Sequence, residues 1–131
     1  MPNIKIEMDG NKHVYSLMQE ANCIIHCYDS TGILESMNFD IPTFCIWPNK
    51  LIHLQSKYYK FFMQLKKNEI LYFDIKKIVN MINKNYPNFD NIWLKKNVQK
   101  AKNIFLNQFS IIPKKNSTLS IKQQIETWLQ D

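Results

Sequence analysis

Two short, almost continuous apolar runs constrain this chain most: Cys23, Ile24, Ile25, His26, Cys27 and Tyr28, then Thr43, Phe44, Cys45, Ile46 and Trp47. Runs of this length without alternation read as strands covered on both faces. Asp29, Ser30, Thr31 and Gly32 interrupt the first run, and residues 33–38 read as a short helix that Ser30 or Thr31 can cap. Glu35 falls within about the first turn, where an acid suits the helix dipole. Ile41 and Pro42 close the unit. Strand, helix and strand within about 25 residues make a βαβ unit, and such units build parallel sheets.

The flanking segments extend that pattern. Ile4, Lys5, Ile6, Glu7 and Met8 alternate as a half-buried strand does, and Asp9, Gly10 and Asn11 supply turn chemistry. Residues 13–21 place Val14, Leu17, Met18 and Ala21 at helical spacing. After Pro48, residues 51–65 read as a helix carrying Leu51, Leu54, Tyr58, Phe61, Phe62 and Leu65 on one side. Residues 70–73 read as a further strand. Asp74 then caps a helix through Asn83 with Ile75, Ile78, Val79 and Ile82 as its stripe, and Tyr86 and Pro87 break it. Residues 92–109 read as one long helix, 113–117 as a polar linker, and 120–130 as a small closing helix. The expected fold is α/β: a Rossmann-like parallel sheet of about four strands flanked by helices over residues 1–112, with a helical tail over 113–131.

The chain's 131 residues suffice for one compact domain, and 45% hydrophobic with 21% charged residues is ordinary globular composition. No apolar run approaches the ~20 residues of a membrane span, and the charged first ten residues lack the apolar stretch of a signal peptide. A cytoplasmic domain is the expectation. Cys23, Cys27 and Cys45 lie within the apolar runs and read as buried, reduced thiols. Charge is uneven: residues 1–48 hold two lysines against six acids, whereas residues 49–131 hold fifteen lysines against five. A basic half invites nucleic acid, yet the chain has no arginine, the residue that grips phosphate and guanine bidentately. The lysines read as solvated helix faces, and no nucleic-acid partner is expected.

In an open parallel sheet ligands collect beyond the carboxyl ends of the strands. The polar loop there is residues 28–32, which feeds a helix start whose N–H groups and dipole favour an anion. A strand, a capping hydroxyl and a glycine also begin many helices that bind nothing, so spacing alone leaves both readings open.

This core resembles a family of bacterial surface-carbohydrate transferases. In these a Ser-Thr pair, a Leu-Glu two residues later, a Pro-Thr and an apolar strand ending in Trp follow one another, as Ser30, Thr31, Leu34, Glu35, Pro42, Thr43 and Trp47 do here. A looser likeness links it to CDP-glycerol glycerophosphotransferases. The resemblance covers roughly residues 4–110 and implies the C-terminal half of a GT-B architecture. It implies that Ser30, Thr31 and Gly32 hold the phosphate of a nucleotide-sugar or CDP-polyol donor, and that Glu35, with His26 as a weaker candidate, contacts a donor hydroxyl or ribose. No further cofactor is implied. A separate N-terminal domain or subunit would supply the acceptor site and base, so the chain alone is expected to lack a complete active site. Where the family carries an arginine in the next helix, this chain offers Lys50, His53 and Lys57. A non-catalytic binding module of the same fold, or a truncated remnant, is the competing expectation.

Other residues have plainer readings. Cys23, His26 and Cys27 cannot converge on a metal from one strand, because His26 points away from the face that residues 23, 25 and 27 share. Trp47, Trp93 and Trp128 read as core residues, and Asp29 as a cap on its loop's backbone, with a role as base beside Ser30 the less favoured reading. The aromatic and lysine-rich 51–65 segment reads as a core helix with a solvated face, the alternative being peripheral contact with an anionic inner membrane.

Overall fold

The computed structural model describes residues 10–110 together with 125, 126 and 129. The expected strand over residues 4–8, the 113–117 linker, Trp128 and most of the closing helix lie outside the described residues. Within them the fold is α/β, with a three-stranded parallel sheet of β1 (Ile24–His26), β2 (Thr43–Ile46) and β3 (Leu71–Tyr72) in the order β1-β2-β3. The helices are α1 (Val14–Glu20), α2 (Thr31–Asn38), α3 (Tyr59–Lys67), α4 (Ile75–Asn85), α5 (Asp90–Trp93) and α6 (Lys96–Phe109).

The βαβ expectation holds, with β1 and β2 pairing in parallel so that His26 sits opposite Cys45. Of the two apolar runs only the second is covered on both faces. Phe44 and Cys45 in central β2 are buried, while in β1 Ile25 is 38% exposed, and Cys27 and Tyr28 beyond it are exposed. Cys45 is therefore a buried thiol, Cys23 is half-buried, and Cys27 departs from the expectation by lying at the surface. Apolar content reports that a segment forms a strand, not that β2 takes the central place among the described strands.

Strand alternation sends neighbouring β2 side chains to opposite layers. Cys45 and Trp47 join Leu71 in a core closed by Ile33 and Met37 of α2, Leu65 of α3, and Val98 and Phe105 of α6. Phe44 and Tyr72 face the other way, against Ile78 and Met81 of α4 and Ile92 of α5. Each such fully buried side chain contributes about 1.5–3 kcal/mol.

Three helix expectations change. Residues 51–65 are not one helix. Trp47 accepts from the Lys50 N–H and Leu51 from the Leu54 N–H in successive turns, Lys50 takes φ 57°, and α3 begins only at Tyr59, after a 3-10 turn over Ser56–Tyr58. Leu51 and Leu54 still reach the core, so turns reproduce a helical spacing here. Residues 92–109 divide at Leu94 and Lys95, where Lys95 is extended with ψ 139°. Ile92 packs in one core cluster, and Trp93 of the same short helix joins Val98 and Phe105 in the other. In α4 the buried stripe is Ile78 and Met81, while Ile75 and Val79 are exposed. Asp74 caps it as expected, its carboxylate accepting from the Lys76 N–H at 2.8 Å.

A polar knot ties α2, α5 and α6 together. Asp40, at φ 56° just past α2, accepts from Lys102 Nζ at 2.6 Å and from Trp93 Nε1 at 3.1 Å. On the lysine-rich side, Lys57 and Lys60 lay their ammonium groups over Tyr58 and Phe61. No helix among the described residues is long and apolar enough to cross a membrane.

Candidate functional site at the carboxyl ends of β1 and β2

Parallel pairing brings the segments after β1 and β2 side by side, and two cavities open there. One, of about 370 Å³, lies between Tyr28 and Asp29 on one side and Trp47, Lys50 and His53 on the other. The second, of about 280 Å³, is lined by Ser30, Thr31 and Leu34 with an apolar wall that includes Phe62, Phe105 and Phe109. Asp29 and Trp47 belong to both walls.

Trp47 is 4% exposed, and among the described residues its buried Nε1 has no hydrogen-bond partner. Leaving such a donor unmet costs about 1–3 kcal/mol, so a ligand acceptor that reaches it gains that much over one that does not. The His53 ring stands edge-on to the indole at 5.2 Å, and His53 Nε2 lies 3.5 Å from Asp29 Oδ2. Asp29, read from sequence as a cap on its own loop, instead faces His53 across the first cavity.

Ser30 is the N-cap residue of α2, extended at φ −142° and ψ 158°, and its side chain makes no capping bond. The first N–H groups of α2 therefore lack a side-chain acceptor from Ser30, and the positive end of the helix dipole faces outward beside Thr31. Glu35 lies past the first turn of α2, which holds no acid.

Gly32 also lets the His26 ring approach the helix start closely. A Cβ there would stand 3.1 Å from His26 Cε1 and 3.3 Å from Ser30 Oγ. The imidazole thus packs directly against the start of α2. His26 Nε2 lies 3.1 Å from Ser36 Oγ, and the single Thr43 hydroxyl hydrogen is shared between Ser36 Oγ at 2.9 Å and the Ile41 carbonyl at 2.7 Å. Ser36 and Thr43 are fully buried, so this chain anchors the ring between β1 and α2. Burial lowers the His26 pKa from its ordinary value, with the Glu35 carboxylate opposing the shift.

Of the five residues singled out from sequence, Ser30 and Thr31 line a cavity; Gly32 and His26 pack against each other, and half-buried Glu35 lines neither cavity. Trp47 is core as expected and also a wall of both cavities. His53 and Lys50, noted only as stand-ins for a missing arginine, line the first cavity, whereas Lys57 does not. The signal that finds them is the strand-end rule applied to β2 as well as β1. Among the described residues no group of three or more His, Cys, Asp or Glu side chains is placed to hold a metal ion.

A family model described as LIC12162 family transferase matches residues 1–123. No curated protein and no solved structure matches the chain.

Proposed function

The chain belongs to the LIC12162 family of transferases, and on that premise we propose that it is the donor-binding part of a glycosyltransferase-like enzyme. The donor is a nucleotide-activated sugar or polyol phosphate, and the acceptor a bacterial surface glycan. Its phosphate sits at the start of α2, held by the Thr31 and Gly32 N–H groups and by the Ser30 and Thr31 hydroxyls. The observation that carries this reading is the meeting of unmet donors at adjacent parallel strand ends: an α2 start without a side-chain cap beside the partnerless Trp47 Nε1. Lys50 adds positive charge across the first cavity. Glu35 and His26 as contacts to a donor hydroxyl rest on the resemblance, since neither lines a cavity. Rate enhancement in such a site comes from orienting the donor and stabilising the departing nucleotide phosphate. A separate N-terminal domain or subunit supplies the acceptor and its base, and contact with the inner membrane brings a lipid-linked acceptor within reach.

The test is thermal melting of the full chain with CMP, CDP, UDP and GDP. A ligand at ten times its Kd stabilises by about 1.4 kcal/mol, a rise of a few degrees. At least one nucleotide is expected to produce that rise, and Ser30→Ala with Thr31→Val to remove it. A flat response to all four at millimolar concentration overturns the reading.

A further inference from the structure

Both buried polar side-chain atoms without partners among the described residues belong to residues in cavity walls. One is Trp47 Nε1; the other is the Tyr72 hydroxyl. Tyr72 is 8% exposed at the end of β3, on the opposite side of the sheet from β1. It forms part of the wall of a cavity of about 500 Å³, within the range of small-molecule sites. None of the residues lining this cavity lines the two beside Ser30.

Its wall carries an excess of positive charge, four lysines against two acids. Lys77 and Lys84 are seven residues apart on α4 and share a face; Lys95 stands at the α5–α6 break, and Lys66 comes from the end of α3. None of the four has an ion-pair partner among the described residues. Lys66 Nζ lies over the Phe73 ring at 5.4 Å. Two acids oppose them, Glu69 and Asp74, and the Asp74 carboxylate is engaged by the Lys76 N–H. Asn80 and Asn85 add neutral polar groups, although the Asn85 amide donates to the Met81 carbonyl. The start of α6, with no side-chain cap at Lys95, adds positive potential. The rest of the wall is apolar: Leu71, Phe73, Met81 and Ile92.

We propose that this cavity binds a small organic phosphate monoester, its dianion held by Lys77, Lys84 and Lys95 with the Tyr72 hydroxyl donating, and its carbon skeleton against Met81 and Ile92. Several ammonium groups favour a dianion over a single carboxylate, and the apolar wall favours an ester over free phosphate. Burial, with the Glu69 charge second, pushes the Tyr72 phenol well above its ordinary pKa, so it remains a donor at neutral pH. The site is independent of the proposed donor loop.

The experiment is a backbone amide NMR titration of the full chain with glucose 1-phosphate, glycerol 3-phosphate, inorganic phosphate and glucose. A phosphate ester is expected to give saturable shifts at Tyr72, Lys84 and Lys95, at least threefold tighter than inorganic phosphate, with none from glucose. Lys84→Gln with Lys95→Gln, two exposed positions, weakens binding at least tenfold. Tyr72→Phe, which keeps the ring in the core, weakens it about threefold with spectral dispersion unchanged. Ser30→Ala with Thr31→Val leaves this titration as it was, so failure here and failure of the donor loop are separable. Absence of saturable shifts, shifts confined to residues 27–31, equal binding of inorganic phosphate, or indifference to the lysine and Tyr72 substitutions overturns the proposal.

Discussion

Replacing Asp40 by Asn and replacing Lys102 by Met each remove one charge from the same ion pair, yet their costs are expected to differ severalfold. The Lys102 side chain is 9% exposed and that of Asp40 57% exposed, with 2.6 Å between Nζ and Oδ1. Coulomb's law over that distance is worth about 6 kcal/mol at an effective dielectric constant of ~20 and about 1.6 kcal/mol near ~80. Half-exposed Asp40 places the pair toward the lower end, at about 2–3 kcal/mol. Asp40→Asn keeps an acceptor for Trp93 Nε1 and tolerates the positive φ, but it leaves a buried ammonium without its counter-charge. That substitution is expected to cost about 2–3 kcal/mol. Lys102→Met removes the buried charge with similar volume and leaves Asp40 in water, so the cost is about 1 kcal/mol or less. The assay is urea denaturation of the full chain and both variants at pH 7, with the double variant closing the cycle. Equal costs, or a larger cost for Lys102→Met, would refute the assignment of Lys102 as the desolvated partner.

Three further outcomes follow from particular contacts. His26 is held below its ordinary pKa mainly by burial, so below about pH 6.5 the unfolded chain binds a proton that the folded chain resists. This contribution to stability is complete above the unfolded pKa and is lost as pH falls toward the folded one; melting between pH 7.5 and 5.5 should drop more steeply for the wild type than for His26→Gln. Gly32→Ala gains up to about 1 kcal/mol of helix propensity, but its Cβ meets an imidazole anchored by Ser36. A net loss of about 1 kcal/mol and a changed His26 imidazole NMR signal are expected, and net stabilisation would show that the ring moves freely. The Cys45 thiol is pushed up to about 12 by burial, with the charge on Cys27 contributing less. Iodoacetamide should therefore modify exposed Cys27 in the native protein and reach Cys45 only on unfolding, as mass spectrometry of the labelled peptides reports.

The βαβ unit, the loop at residues 28–32, the Asp74 cap and the buried Trp47 and Trp93 were all legible along the chain. Each depends on a pattern within a few residues: an apolar run, a capping side chain, a helical spacing. The candidate site was legible only at its β1 side. Its other side, Trp47, Lys50 and His53, requires knowing that β1 and β2 are parallel neighbours with matched ends, and the turns that carry Lys50 and His53 mimic a helix in their apolar spacing. The lysine-lined cavity was hidden for the same reason. Lys77 and Lys84 share a face of one helix, but Lys66 and Lys95 stand on other elements, and all four charges looked like solvated helix faces.

What the sequence by itself determined is therefore the class of fold and the position of one strand-to-helix loop, on which the proposed donor site rests; that Ser30 makes no capping bond to α2 was decided by the structure. Local sterics and burial periodicity set those features, and they do not depend on how distant segments pair. Tertiary structure alone decided which apolar run became the central strand of the described sheet and where residues 92–109 break into two helices. It also decided which side chains meet: Asp29 with His53, Asp40 with Lys102 and Trp93, and His26 with Gly32 and Ser36. Those pairings arise when two helical layers close on opposite faces of one sheet, and charge balance and steric fit there depend on neighbours up to 62 positions apart in sequence.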